Sequence, residues 1–438
     1  MRIVLANSAF HAVGGSETYL MTLGEQILRL GHDVRIFAST AGEMAGLASL
    51  RGIPVVTDVT DLGEPADAVV SQDGAVAYTL AAAWPGVPQV FVCHSSLFDF
   101  QQPPLVPGFA QAVIVLNDRV RRRIEALNAD LRIVRLRQPI ETQRFQPRST
   151  PFPRPRRALI LSNYLTGELR SVLVDTWQEA GLEVLHVGTE AQLSLSPEDD
   201  IAQADIVVAK GRAALEAMSC GRPTYLYDMF GGDGWITPEN YAAIEADGIT
   251  GNHLERGSSV AQLRRDLEQY DPELGRLGRE LVTRHHDARA HAHAVLALLH
   301  EVAPERRSDA PTLQIELGRQ VRLRWSAEAE LFTLRASVQR ISDQARADAD
   351  AFGAQLARVA DLEDTVRQLG RELELSKLDA AHMRTDRAEL ETTVSDLRGR
   401  LRARRRQLKR LRSKGQPAKA NRQGRHLWSR PHRGAGPR

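Results

Sequence analysis

The chain has 438 residues, 42% of them apolar, with 57 Lys or Arg against 55 Asp or Glu. That length predicts two to three domains, and two cysteines exclude a disulfide framework or a Cys-rich zinc module. No run approaches the roughly 18 apolar residues of a membrane-spanning helix, and the start at Met1 lacks a secretory signal, so a cytoplasmic protein with reduced, buried Cys93 and Cys220 is expected. The net charge of +2 hides an asymmetry: Leu397 to Arg438 holds 16 Lys/Arg and no acid, leaving 41 basic and 55 acidic side chains before it. An acidic body carries a basic tail.

Residues 1–146 alternate short β-branched runs with helical stretches. Ile3 to Leu5 reads as a strand, Leu20, Leu23, Ile27 and Leu30 as one helix face, and Val34 to Phe37 as a second strand. Pro54–Val59, Ala68–Ser71, Gln89–Cys93, Ala112–Leu116 and Ile133–Leu136 follow, several apolar on both faces, as parallel strands under helices are. A Pro- and Arg-rich linker over 147–157 separates this domain from a second over 158–303. There Arg157–Ser162, Val184–Val187, Ile206–Ala209 and Pro223–Tyr227 read as strands, with helices starting near Thr166, Arg212 and Ser258. Leu274 to Val302 reads as helix, and its five histidines match no compact zinc spacing and are expected on a solvated face. The fold class is α/β, two doubly wound Rossmann-like domains.

After a linker over 304–330, a heptad register runs from Leu331 to Leu411. Nineteen of its 24 a and d positions are apolar, which predicts a coiled coil about 120 Å long at ~1.5 Å per residue. Asp348, Gln355, Ser376, Arg387 and Arg404 interrupt the seam. Homo-oligomerisation is expected, and β-branched residues at a with Leu at d lean towards a parallel dimer. Residues 412–438 read as a disordered basic tail, suited to an anionic membrane surface rather than to a specific nucleic acid.

Two segments can carry chemistry. Asn7 to Gly15 joins the first strand to a helix, and Gly14 with Gly15 would let the backbone approach a phosphate at that helix N-terminus, or merely form a tight turn capped by Ser16. After the strand Ile206–Ala209 comes Lys210-Gly211-Arg212, two cations and a glycine at a helix start, where doubly wound sheets bind ligands. Glu216, in the first turns of that helix, could accept ribose hydroxyls or simply favour the helix dipole. A glycine cluster from Asp228 to Thr237 follows the next strand, and Gly232, Asp233 and Trp235 are candidates for the same site, the indole as a stacking surface.

The run Glu216-Ala217-Met218-Ser219-Cys220-Gly221-Arg222-Pro223 resembles the E-A-M-A-x-G-x-P signature of nucleotide-sugar glycosyltransferases with the two-domain GT-B fold, family 4 in particular. Gly14-Gly15-Ser16-Glu17 resembles that family's G-G-x-E loop and Gly31-His32-Asp33-Val34 its G-H-x-V. Arg137-Gln138-Pro139-Ile140-Glu141-Thr142-Gln143-Arg144-Phe145 resembles its P-N-G-V-D-x-x-x-F segment. The likeness spans roughly residues 1 to 303. It implies a retaining, metal-independent hexosyltransferase without a cofactor, taking a nucleotide-sugar donor and a glycan or lipid-linked acceptor of a bacterial surface polysaccharide, and for such an enzyme the basic tail would localise a cytoplasmic body at the inner face of the membrane. Glu216 matches the ribose-binding glutamate, Gly14 and Gly15 the donor-phosphate loop, and His94 the histidine facing the transferred sugar, where a strand-end histidine satisfied by backbone is the alternative.

Two positions depart from the pattern. Val208 stands where the family has the first glutamate of Glu-x7-Glu, and the usual cations after the first strand of the second domain are replaced by Arg170 alone, so Lys210 and Arg212 are expected to substitute. A single Asp-x-Asp triplet, Asp348-Ala349-Asp350, lies in the coiled coil, and no metal is expected. The competing expectation is a catalytically degenerate scaffold or nucleotide sensor acting through the coil.

Overall fold

The computed structural model describes residues 1–11, 14–95, 101–127, 130–188, 194, 196–228, 231–254, 259–302 and 310–412. The chain divides into two units, Met1–Ala329 and Glu330–Arg438. The basic tail from residue 413 on lies outside the described residues.

The first unit begins with β1 (Arg2–Ala6), β2 (Ala9–Phe10), α1 (Gly15–Arg29), β3 (Asp33–Phe37), β4 (Thr40–Ala41), α2 (Glu43–Leu50) and β5 (Val55–Val56). It continues through β6 (Ala68–Ser71), α3 (Gly74–Ala83), β7 (Gln89–Cys93), β8 (Ala112–Val115), α4 (Asp118–Glu125) and β9 (Ile133–Arg135). Seven of these strands form a parallel sheet in the order β5-β3-β1-β6-β7-β8-β9. Its central strands are apolar apart from Ser71 and Gln89 at their ends and are buried on both faces, because helices cover both sides. Chain order reverses between β1 and β6, which opens a crevice beyond their carboxyl ends. Buried Asp73 caps α3 and also accepts from the amide and hydroxyl of Ser8, both at 2.6 Å, tying the loops after β6 and β1 together at that crevice.

The second sheet comes from β10 (Arg157–Leu161), α5 (Gly167–Glu179), β11 (Glu183–Val187), α6 (Pro197–Ala202), β12 (Ile206–Ala209), α7 (Gly211–Ser219), β13 (Thr224–Asp228) and β14 (Gly231–Trp235). The order is β11-β10-β12-β13-β14, with β14 antiparallel, and it reverses between β10 and β12. Helices α8 (Pro238–Ala246), α9 (Val260–Glu268), α10 (Glu273–His285), α11 (Ala288–Glu301) and α12 (Ala310–Arg412) complete the chain.

The single helix expected over Leu274–Val302 is two, broken at His286 and Asp287. There the backbone leaves the helical path to pair with the segment before the linker: Ile140 donates to the carbonyl of His286 at 2.7 Å, and Ala288 donates to that of Ile140 at 3.0 Å. Asp287 restarts the helix, accepting from Ala290 N at 2.9 Å and from the Thr142 hydroxyl at 3.0 Å. The break redirects the chain, so α11 packs on α1 and gives Ala292, Val295, Leu296 and Leu299 to the core of the first sheet. The solvated-histidine expectation is corrected with it. His286 and His291 are buried: His286 donates from Nδ1 to Gln138 O and shares a hydrogen bond with the Tyr241 hydroxyl, and His291 shares one with the Tyr19 hydroxyl, while His293 and His300 are exposed.

The domains also meet through ion pairs from Arg119 to Asp247 at 2.9 Å and from Arg135 to Glu245 at 2.8 Å. Helix α12 is continuous from Ala310, so helix occupies most of the expected linker. Its start is held to the first unit by buried Glu316, which accepts from Tyr78, from Arg319 at 2.7 Å and from Gln320 at 2.8 Å. No helix among the described residues is long and apolar enough to cross a membrane.

Removing the Asp287 carboxylate deletes a helix cap and the bond to Thr142. Asp287→Ala should lower stability by about 1–2 kcal/mol in denaturant unfolding, and Asp287→Asn, which can still cap, should recover most of that. Equal losses for both would show that the cap does not hold this break.

Candidate functional site

The crevices of the two sheets face one cleft, with a cavity of about 420 Å³ continuous at Gly14, Gly15, Tyr164, Gly211 and Arg212 with a second of about 380 Å³. Two helix N-termini open into both halves. Gly14, not Ser16, is the N-cap of α1 and Lys210 is the N-cap of α7, and among the described residues neither makes a side-chain bond to the first amides of its helix. Uncapped amides at the positive end of a helix are anion-binding groups. Gly211 holds φ at +56°, where a side chain is disfavoured, and its amide donates to Ile249 O at 2.8 Å.

The larger half carries a charged cluster. Lys210 pairs with buried Asp228 at 2.6 Å, and its ammonium lies 4.5 Å from the centre of the Tyr164 ring. Arg212 donates from Nε to Glu216 at 2.7 Å, from Nη1 to Pro139 O at 3.0 Å and from Nη2 to the Thr22 hydroxyl at 2.9 Å. It therefore ties α7 of the second domain to α1 and to the 139–145 segment of the first. Burial pushes the Glu216 carboxyl up, and the adjacent Arg212 opposes that by favouring the anion.

Glu141 lies in the same wall, accepting from Thr22 at 3.4 Å and 4.0 Å from Arg144. Burial, reinforced by the charge of Glu25, raises its carboxyl to about 7 against the pull of Arg212 and Arg144. Arg144 in turn holds Glu198 through two bonds of 2.9 Å. Glu141, Arg144, Arg51, Asn163 and Tyr164 line this half although the sequence reading gave them no role. The Arg137 to Phe145 resemblance was the one available signal for Glu141 and Arg144, since their surroundings come from distant elements.

His94 lines the smaller half with Gln101, Asn117 and Gln138. Its ring meets Tyr19 edge-on at 4.8 Å, and its Nε2 is buried with no hydrogen-bond partner among the described residues. Burial, with His291 and Arg212 nearby, lowers it to about 3, so the imidazole is neutral at physiological pH. A neutral ring can donate to or accept from a hydroxyl but adds no cation for a phosphate.

The structure thus brings together Gly14, Gly15, His94, Lys210, Gly211, Arg212 and Glu216. It does not bring Gly232, Asp233 or Trp235, and the expectation for these three is corrected. β14 pairs antiparallel with β13, and a Cβ on Gly232 would stand 2.0 Å from Leu226 O, so the glycine serves strand contact. Trp235 is buried against Tyr225 at 5.1 Å and donates to Asp266 O at 2.7 Å, while Asp233 accepts from the amides of His253 and Leu254. Arg170 bonds His186 at 3.0 Å and does not line the cleft.

A folded-state carboxyl raised from 4.5 to about 7 favours the protonated form, so the stability it contributes is full below 4.5 and is lost as pH rises through 7. Glu141→Gln should flatten the fall in stability between pH 5 and 8 and stabilise the protein at pH 8 by on the order of 1–3 kcal/mol. Parallel stability curves for the two proteins would rule out that protonation.

Two solved structures share this architecture. A glycosyltransferase from Rickettsia africae aligns at 13% identity over 68% of this chain and 98% of its own, with a TM-score of 0.52. The Anabaena protein Alr3699/HepE, solved in complex with UDP, aligns at 13% identity over 69% of this chain and 100% of its own, also with a TM-score of 0.52. No family model and no curated protein matches the chain. The likeness is one of fold: two Rossmann-like domains across a cleft, the GT-B architecture, to which this chain adds the long helix α12.

Proposed function

We propose that the chain transfers a sugar from a nucleotide-sugar donor held in the cleft to an acceptor hydroxyl presented from the first domain. The observation that carries this reading is the pair of helix N-termini, without an N-cap side-chain bond among the described residues, that open into one cavity beside Lys210. In glycosyl transfer the demanding term is negative charge developing on the departing diphosphate, and preoriented amides with a nearby ammonium stabilise it at no reorganisation cost. The UDP complex of the Anabaena structure supports a nucleoside diphosphate as the ligand.

In this reading the phosphates lie between Gly14, Gly15 and Gly211, and Lys210 turns from Asp228 towards them. Glu216, oriented by its bond from Arg212, accepts the ribose hydroxyls. Neutral His94 meets the sugar through its unpartnered Nε2. The acceptor is a glycan or lipid-linked saccharide, transfer keeps the anomeric configuration, and the nine Lys/Arg between Arg398 and Arg412 favour an anionic surface.

A second reading has one observation in its favour. Val208, standing where the resembling family has its first glutamate, is fully buried on β12, so no carboxylate arises there. A nucleotide-binding scaffold without transfer would tolerate this.

Calorimetric titration of the full chain with UDP, GDP and ADP should single out one nucleotide. Glu216→Gln, which loses charged acceptors for ribose, should weaken it by about ten- to a hundredfold, and Lys210→Ala should weaken it at least as much. Unchanged affinity in both variants would overturn the placement. Release of that nucleoside diphosphate from its sugar conjugate, abolished by Lys210→Ala, is expected of a transferase; tight binding without release would establish the scaffold.

A further inference from the structure

Over residues 331–411, helix α12 presents its seam to solvent. Sixteen large apolar side chains at a and d are 44% to 70% exposed, against four large exposed apolar residues on its other faces: Phe332, Leu356, Leu375 and Leu378. Five polar residues interrupt the seam, three of them charged: Asp348 at d, Arg387 at a and Arg404 at d. The way these charges can be matched decides what covers it.

A parallel, in-register partner would set each of the three against its own copy. It would also lay side by side two stretches from Arg398 to Arg412 that contain nine Lys/Arg and no acid. Like charges set against each other in a buried layer oppose that arrangement. In an antiparallel pair the layers are a against d, and among the seam positions Arg387 is the one arginine at a and Asp348 the one carboxylate at d.

We propose that α12 pairs with α12 of a second copy of this chain, antiparallel, in the register that sets Arg387 of each helix opposite Asp348 of the other. That register makes Val338 face Leu397, Phe352 face Met383, and Val366 face Leu369. Ala345, small, falls opposite Leu390, and Ala380 opposite Gln355. Antiparallel flanks join g to g and e to e. Arg358 then meets the carboxylates Glu372 and Asp379, and Glu363 meets Lys377, while uncharged Thr365 and Gly370 lie at the two-fold axis, where any residue must face itself. Within one chain Arg387 already bonds Glu391 at 2.9 Å and Asp348 accepts from Gln344 at 2.7 Å, so both charges keep a partner when the layer closes.

The test uses the full chain, whose own Cys93 and Cys220 are buried and do not compete for oxidation. Sedimentation equilibrium should give twice the 48.5 kDa of one chain. Mixing Val338→Cys with Leu397→Cys chains under mild oxidation should give a cross-linked pair, while Val338→Cys alone should give none. Asp348→Arg and Arg387→Asp should each weaken association at least tenfold, and the double exchange should restore it. A one-chain or three-chain mass, a disulfide in Val338→Cys alone, no disulfide in the mixture, or failure of the double exchange to recover association would each overturn the proposal.

Discussion

The guanidinium of Arg212 is the interaction on which the cleft depends. It is nearly buried, and its three bonds reach Glu216 on its own helix, the hydroxyl of Thr22 on α1 and the carbonyl of Pro139 ahead of the linker. A buried arginine is tolerable when its donors are satisfied and a carboxylate balances its charge. Meeting that condition here requires that α7 and α1 keep a fixed separation, and the same separation is what lets their two N-termini open into one cavity. Arg212 therefore does more as a strut than as a cation for phosphate. Lys210, held by a single carboxylate, is the more available positive charge.

Around that strut the charges alternate: Arg51 on Glu25, Arg144 on Glu198, Arg212 on Glu216. Glu141 is the carboxylate in excess, with Thr22 at 3.4 Å and Arg144 at 4.0 Å as its near partners, and the protein resolves the excess by raising its pKa rather than by adding a cation. Under the proposed function, an anionic ligand beside this wall would favour the protonated form of Glu141 further.

Most of the sheet was legible in the sequence because a doubly covered strand must be apolar on both faces, and runs such as Val90 to Cys93 or Ala112 to Val115 have no other economical use. What stayed hidden is what distant contacts impose. Gly231 to Trp235 has no strand propensity; it is extended because β13 offers it an antiparallel edge and its glycines allow the approach. The helix across His286 has nothing local to stop it, and it stops because Ile140 competes for its backbone. At the site, motif spacing placed Lys210, Gly211, Arg212 and Glu216, which lie on the first two turns of one helix and its cap. It could not place Trp235, whose apolar surroundings come from Tyr225 and Tyr270, nor value Glu141, whose protonation is set by Glu25 on α1 and Arg212 on α7.

The crossing at His286 bears on how such a cleft could move. Two strands of chain pass between the domains, the linker after Gln146 and the turn at His286 and Asp287, and they are bonded to each other through Ile140 and Thr142. Arg279 adds bonds from α10 to the carbonyls of Thr142 and Phe145 at 2.9 and 2.7 Å, gripping the same segment. A pair of crossings locked side by side behaves as one hinge rather than two, and it leaves rotation about their common line as the soft direction. Rotation of that kind changes the gap between the N-termini of α1 and α7 while α11 stays fixed to α1. Arg212, spanning the gap, limits how far the domains can part before its guanidinium loses its bonds to Thr22 and Pro139, so the width of the cleft is set by that side chain.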